Sequence, residues 1–169
     1  MNSYIIDTNV LVVANDKYDK AGFEDVFECQ RFLIDIQKNE KRLSVDSLGL
    51  IFNEYFNHAR MAGQPGIGDA FVKWLWDNQG YESICEQVEI TPDTDGTRGF
   101  LEFPGEKSLE NFDWSDRKFV AVAVSSKFDA LICNASDSDW WIFKKPLEKV
   151  GVKIKFLCPE LVKKTLYIK

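Results

Sequence analysis

Five carboxylates stand where divalent-metal chemistry would need them. They are Asp7 in Ile5-Ile6-Asp7-Thr8-Asn9, Glu54 in Phe52-Asn53-Glu54-Tyr55, Asp116 in Ser115-Asp116-Arg117-Lys118-Phe119, and Asp137 with Asp139 in Ser136-Asp137-Ser138-Asp139-Trp140. Each falls at an expected strand end or on the apolar side of an expected helix. A lone carboxylate buried there is costly and must neutralise or find a cation. Several in one place ask for a hard divalent ion. Mg²⁺ and Mn²⁺ prefer oxygen ligands, keep several waters, and are held by a few carboxylates together with substrate phosphate. One or two such ions can activate water near neutral pH, align it with a phosphorus atom and neutralise the leaving oxygen. No histidine or cysteine nucleophile is required, which matters because His58 is the only histidine in the chain.

The elements that must position these groups follow from the hydrophobic pattern. Tyr4-Ile5-Ile6 reads as a buried parallel strand ending in a turn at Asp7. A helix is predicted over Glu24 to Lys38, with Val26, Phe27, Phe32, Leu33 and Ile36 on one side. Arg42 to Val45 reads as a second strand. Asp46 or Ser47 then caps a helix through about Met61, which Ala62-Gly63-Gln64-Pro65-Gly66 breaks. A further helix fits Asp69 to Asn78, and Glu86 to Thr91 alternates like a strand. Pro92 to Asp113 is rich in Asp, Gly and Pro, with only Gly99 to Phe103 as a short strand, and loops this long are usually functional or mobile. A helix over Asp116 to Lys127 with Ser115 as its cap, a strand over Ala130 to Cys133, a mostly helical Asp139 to Lys149, a strand over Val152 to Leu157 and a terminal helix opened by Pro159 complete the pattern. Alternating strands and helices predict an α/β domain with a mostly parallel central sheet. The 169 residues are read as one such domain.

In an open parallel sheet, ligands bind outside the carboxyl ends of the strands. Asp7 follows the first strand and Asp137 the one ending at Cys133, so both should project from one edge. Asp116 has Phe119, Val120 and Ala123 three, four and seven residues on, which sets it on the buried helix face near a dipole that favours negative charge. Glu54 borders an apolar stripe, with Leu50 and Ile51 before it and His58 after it.

Composition narrows the field. The 45% hydrophobic and 28% charged fractions are those of a globular protein. No apolar run reaches the roughly 20 residues of a membrane span, and the first residues lack the pattern of a signal peptide. Cys29, Cys85, Cys133 and Cys158 form no Cys-x-x-Cys pair and read as reduced core residues, so a cytoplasmic location is expected. A net charge of −6 argues against a generic nucleic-acid coat. Five of those negatives are the candidate ligands themselves, and two bound divalent cations, adding four charges, would bring −6 to −2.

At these residues the chain resembles the PIN-domain family of metal-dependent ribonucleases, which includes toxins of bacterial toxin–antitoxin pairs. The matching elements are Ile5-Ile6-Asp7-Thr8-Asn9, the helical Glu54, Asp116 leading Arg117-Lys118-Phe119-Val120-Ala121, and Asp137-Ser138-Asp139-Trp140. The resemblance implies a three-layer α/β/α sandwich and an Mg²⁺- or Mn²⁺-dependent hydrolase that cleaves RNA to a 5′-phosphate and a 3′-hydroxyl. It also implies that Asp7, Glu54, Asp116 and Asp137 are the principal carboxylates and that Asp139 is a nearby or alternative ligand. Asn9 and Ser136 would orient ligands or water. An antitoxin protein and a homodimer are the partners it implies, and residues 92–113 would elaborate on compact members.

Taken singly, each motif has an ordinary role. Asp7 can cap a turn, Asp116 can serve its helix dipole, Asp137 and Asp139 can make a polar turn, and Glu54 can pair with Arg60 or His58. His58 reads as a partly buried helix residue. Trp114 and Trp140 flank the proposed ligands and are candidates for the rim of a substrate pocket. Arg117, Lys118, Lys144 and Lys145 are the basic residues nearest the motifs and could contact phosphate or simply face solvent. The alternative function is a catalytically weak PIN-fold binding module that grips a protein or basic peptide through its acidic pocket. A phosphatase of the haloacid-dehalogenase type would need Asp-x-Asp after the first strand, where this chain has Asp7-Thr8-Asn9.

Overall fold

In a computed structural model, which describes residues 2–61 and 65–166, five strands pair in parallel throughout. They are β1 (Asn2–Ile6), β2 (Leu43–Asp46), β3 (Cys85–Val88), β4 (Asp129–Asn134) and β5 (Lys153–Phe156), in the order β3-β2-β1-β4-β5. The helices are α1 (Thr8–Ala14), α2 (Phe23–Lys38), α3 (Leu50–His58), α4 (Ile67–Asn78), α5 (Arg117–Ser125), α6 (Ser138–Ile142), α7 (Lys144–Lys149) and α8 (Pro159–Leu166). They flank the sheet in the three-layer α/β/α arrangement that the alternating pattern predicts. Among the described residues, no helix is long and apolar enough to cross a membrane.

The strand order fixes where a site can form. From β1 the chain steps outward through β2 to β3, then returns to place β4 on the other side of β1. The reversal leaves a crevice at the carboxyl ends of β1 and β4, the usual ligand position in open parallel sheets. These two strands pair along all of β1, from Asn2 opposite Asp129 to Ile6 opposite Cys133. Both are buried at their carboxyl ends: Ile5, Ile6, Ile132, Cys133 and Asn134 are all within the core.

Helix α1 begins directly after Asp7, where the sequence pattern predicts only a turn. Val10, Val12 and Val13 are β-branched and have weak helix propensity. Burial decides the matter, since Val10, Leu11, Val13 and Ala14 pack inward where α1 meets α2 and α4. Helix α3 ends at His58, short of Met61, and of the predicted break at 62–66 the first three residues lie outside the described ones. Gly49 holds the N-cap position in place of the predicted Asp46 or Ser47, and Asp46 serves the helix start from further back, its carboxylate accepting the amides of Leu50 and Ile51, each at 2.7 Å. His58 is exposed and not half-buried.

Residues 92–113 form a packed loop. The predicted strand at Gly99–Phe103 shrinks to one antiparallel bridge, Pro92 to Phe100, and a 3-10 turn covers Lys107–Leu109. Phe103, Leu109 and Phe112 are buried, and the Phe112 ring meets Trp140 and Phe143 edge-on at centroid distances of 5.0 and 5.4 Å. Apolar anchors every few residues thus hold a glycine- and proline-rich segment against the core.

Candidate metal centre

Asp7 enters from the end of β1. Its amide donates to the Cys133 carbonyl of β4 at 3.0 Å, so its backbone continues the sheet ladder one residue past the strand. The carboxylate caps α1, accepting the Asn9 amide at 3.2 Å, and takes a second hydrogen bond from Asn134 Nδ2 at 3.3 Å. Asp137 plays the same part on the neighbouring strand, capping α6 by accepting the Asp139 amide at 2.8 Å. Both acids fill the ordinary capping role, and that role aims them at one crevice.

Asp116 differs. It occupies the N-cap position of α5 with helical backbone angles, and its side chain makes no capping hydrogen bond. A buried carboxylate at a helix start that does not cap needs another reason to be charged. One oxygen each from Asp7, Asp116 and Asp137 lie within 4.8 Å of one another, close enough to share one cation. Among the described residues this is the cluster of acidic, histidine or cysteine ligands that could hold a metal.

Electrostatics carry the cost of that convergence. Burial, then the Asp137 charge, pushes the Asp7 carboxyl up to about 7, against hydrogen bonds from Asn9 and Asn134 that favour the anion. Burial, then the charges of Asp7, Asp137, Asp113 and Glu54, pushes Asp116 up to about 9. Nearby, Asp113 is held below the usual carboxylate range chiefly by its hydrogen bond from Ser115. Ser115 therefore serves Asp113, with its hydroxyl donating at 2.5 Å, and is not the cap of α5.

Glu54 stands beside the cluster, and its oxygens are already engaged. Thr8 Oγ1 donates to Oε1, and the Lys118 ammonium pairs with Oε2. Lys118 also donates to the Ser115 carbonyl. The expected partners Arg60 and His58 are replaced by a cation two residues beyond Asp116, because α3 and α5 touch. Glu54 therefore lies outside the three converging acids, although its charge is felt by Asp7 and Asp116. Asp139 is likewise outside the group; its amide donates to the Asp137 carboxylate that caps α6.

Two polar residues organise the crevice. Asn9 Oδ1 accepts the amides of Ala135 at 2.7 Å and Ser136 at 3.3 Å, clamping the β4–α6 turn to α1. The clamp takes hold of Ser136 through its backbone, while the Ser136 carbonyl accepts from Thr165. Asn134, fully buried at the end of β4, was not distinguished in the sequence because Cys-Asn-Ala reads as an ordinary strand end. Its Oδ1 has no hydrogen-bond partner among the described residues. Tyr18 is the other residue that sequence reasoning missed: burial and the Asp137 charge both raise its phenol, and nothing in the α1–α2 loop sequence signals that proximity.

Three expected substrate contacts move. Arg117 is 4% exposed and donates to the carbonyls of Thr97, Glu110 and Phe112, so its guanidinium secures the loop from inside. Lys118 is committed to Glu54. Trp140 is fully buried among core aromatics, since the first turn of α6 rotates it inward beside Phe112. Only Trp114 reaches solvent, at 56% exposed. Comparison with known protein families, with curated proteins and with solved structures found no match to this chain.

Proposed function

We propose that this chain is a divalent-metal-dependent phosphodiesterase that hydrolyses RNA, of the PIN-domain type its motifs resemble. The observation that carries the reading is the convergence of Asp7, Asp116 and Asp137 at the carboxyl ends of adjacent parallel strands. An all-carboxylate donor set fits Mg²⁺ or Mn²⁺, which favour oxygen ligands. When bound, such an ion supplies Lewis acidity toward a phosphoryl oxygen and an attacking water.

The chain's own groups do the rest. Asp7, Asp116 and Asp137 hold the cation and must give up protons to do so, because two of them are held near or above neutrality when the site is empty. Asn9 keeps the Asp137 turn in register with Asp7. Asn134 orients the Asp7 carboxylate. Lys118 confines Glu54 so that its charge borders the cluster without crowding it. A role as the toxin of a toxin–antitoxin pair, and a dimeric state, rest on the resemblance alone.

A second reading has one specific observation in its favour. Glu54, implied as a principal ligand, is tied to Lys118 and Thr8, which suits a binding module that has retired one catalytic acid. Calorimetric titration of Mn²⁺ into wild type and Asp116→Asn separates the two, followed by RNA cleavage assays on wild type and Asp7→Asn. Saturable Mn²⁺ binding lost in Asp116→Asn, with cleavage lost in Asp7→Asn, supports the enzyme. Cleavage unchanged in Asp7→Asn overturns the site, and metal binding without cleavage moves the assignment to the binding module.

A further inference from the structure

Trp114 lies two residues before Asp116, a chain separation of at most about 7 Å, and is 56% exposed. Single exposed apolar residues are common; what sets this one apart is how it is held. The buried Arg117 guanidinium lies 4.5 Å from the centre of the indole ring and 4.7 Å from that of Phe103. It is fixed in turn by carbonyls of Thr97 at 2.7 Å, Glu110 at 2.7 Å and Phe112 at 3.3 Å. Gly99, at φ +81°, lies alongside the ring: a Cβ there would be in ordinary contact, 3.5 Å from indole Cε2 and Cζ2. The ring is therefore oriented before any ligand arrives, with more than half of the residue's surface left in water. A rigid, preoriented aromatic loses little entropy on binding.

The charges around it limit what it could bind and how. A polyanion approaching this acidic cluster finds the nearest cations already taken, Arg117 by backbone carbonyls and Lys118 by Glu54. The protein as a whole carries −6. Beyond the phosphate contact that a bound cation would supply, attachment beside the carboxylates calls for an uncharged contact, and stacking of a base on an indole supplies one. Bases inside a duplex are stacked on one another, so only an unpaired nucleotide can use the platform.

We propose that Trp114 is a stacking platform for an unpaired nucleobase, holding a single-stranded nucleic acid beside the carboxylate cluster. This rests on the phosphodiesterase reading and adds to it the substrate class and the residue that selects it. The test uses the full chain and a fluorescent single-stranded oligoribonucleotide of mixed sequence, free or annealed to its complement. Binding is read by anisotropy in metal-free buffer, and cleavage kinetics are read in Mn²⁺. Trp114→Ala and Trp114→Leu should weaken single-strand binding and raise KM by about 5- to 150-fold, with kcat largely unchanged. Trp114→Phe and Trp114→Tyr should recover most of the loss, and the duplex should bind weakly to every form. Leu keeps an apolar cover over Arg117, so agreement between Ala and Leu excludes a merely unfolded loop. Single-strand binding unchanged in both variants, or a duplex bound as tightly as the single strand, overturns the platform while leaving metal-dependent cleavage intact. Trp114-dependent binding with no cleavage in Mn²⁺ overturns the enzyme reading and keeps the platform. No single-strand binding by wild type overturns the platform outright.

Discussion

Replacing Asp116 by Asn should make the metal-free protein more stable, and increasingly so as pH rises. Asp116 is 8% exposed, and its carboxyl is raised from 3.8 to about 9, first by burial and then by the surrounding acids. Between those values the folded state keeps a proton that the unfolded state has released. Stability therefore falls as pH climbs through the window, at about 1.4 kcal/mol per pH unit. From pH 5 to pH 8 the loss attributable to this group is about 4 kcal/mol, or about 8–16 °C in Tm for a chain of this size. Asn keeps the shape and cannot ionise, so its Tm should decline less over the same range. Asp7, held at about 7 chiefly by burial, keeps a slope of its own below that pH, so the two proteins are compared at each pH. Thermal unfolding in chelator at several pH values measures the difference. Saturating Mn²⁺ should then narrow the gap, raising wild type by about 2.7 kcal/mol at a hundredfold excess over Kd and leaving Asp116→Asn where it was. Parallel melting curves from pH 5 to pH 8, or an equal response to Mn²⁺, would refute the reasoning.

Lys118→Met leaves Glu54 without its cation beside three other acids. The metal-free protein should lose about 2 kcal/mol, read by denaturant unfolding, while Mn²⁺ affinity rises on the order of tenfold by calorimetry as a positive charge leaves the site. Arg117→Ala strands the carbonyls of Thr97, Glu110 and Phe112. At about 1–3 kcal/mol for each unsatisfied group, it should cost at least about 3 kcal/mol, with limited proteolysis cutting first within residues 92–113. All four cysteines are buried. Burial pushes the Cys85 and Cys133 thiols up to about 12, and contact with Cys158, 3.7 Å away, followed by burial, raises Cys29. A thiol reagent should therefore label the native protein slowly and the denatured protein at all four positions.

Apolar runs and their spacing were enough to read most of the fold. Tyr4-Ile5-Ile6 and Ala130-Leu131-Ile132-Cys133 are recognisable as buried parallel strands without knowing their partners, and the acids that follow them inherit the sheet edge. That is why Asp7 and Asp137 could be paired from sequence. Asp116 was legible because its helix shows a clear apolar face. What escaped depends on rotation and on contacts between distant segments. The partner of Glu54 is set by α3 meeting α5. Trp140 turns inward by the phase of a five-residue helix, too short to show periodicity. Arg117 looked like a surface cation because charge suggests solvent, and only the three carbonyls of the folded loop make its burial affordable. α1 was missed because its β-branched residues argue locally for extended structure, and packing overrides that preference.

Arg117 directly follows Asp116, and this adjacency ties two distant-looking properties together. The guanidinium that orders the 92–113 loop hangs from the same turn of backbone that presents the third carboxylate. Loosening the loop would loosen that carboxylate, and a cation held there would stiffen the turn from which the loop is hung. Thermodynamic reciprocity then applies: whatever settles the loop must tighten the grip on the ion, and the ion must repay the loop by the same factor. The 92–113 segment is thus mechanically tied to the carboxylate cluster without contributing an atom to it.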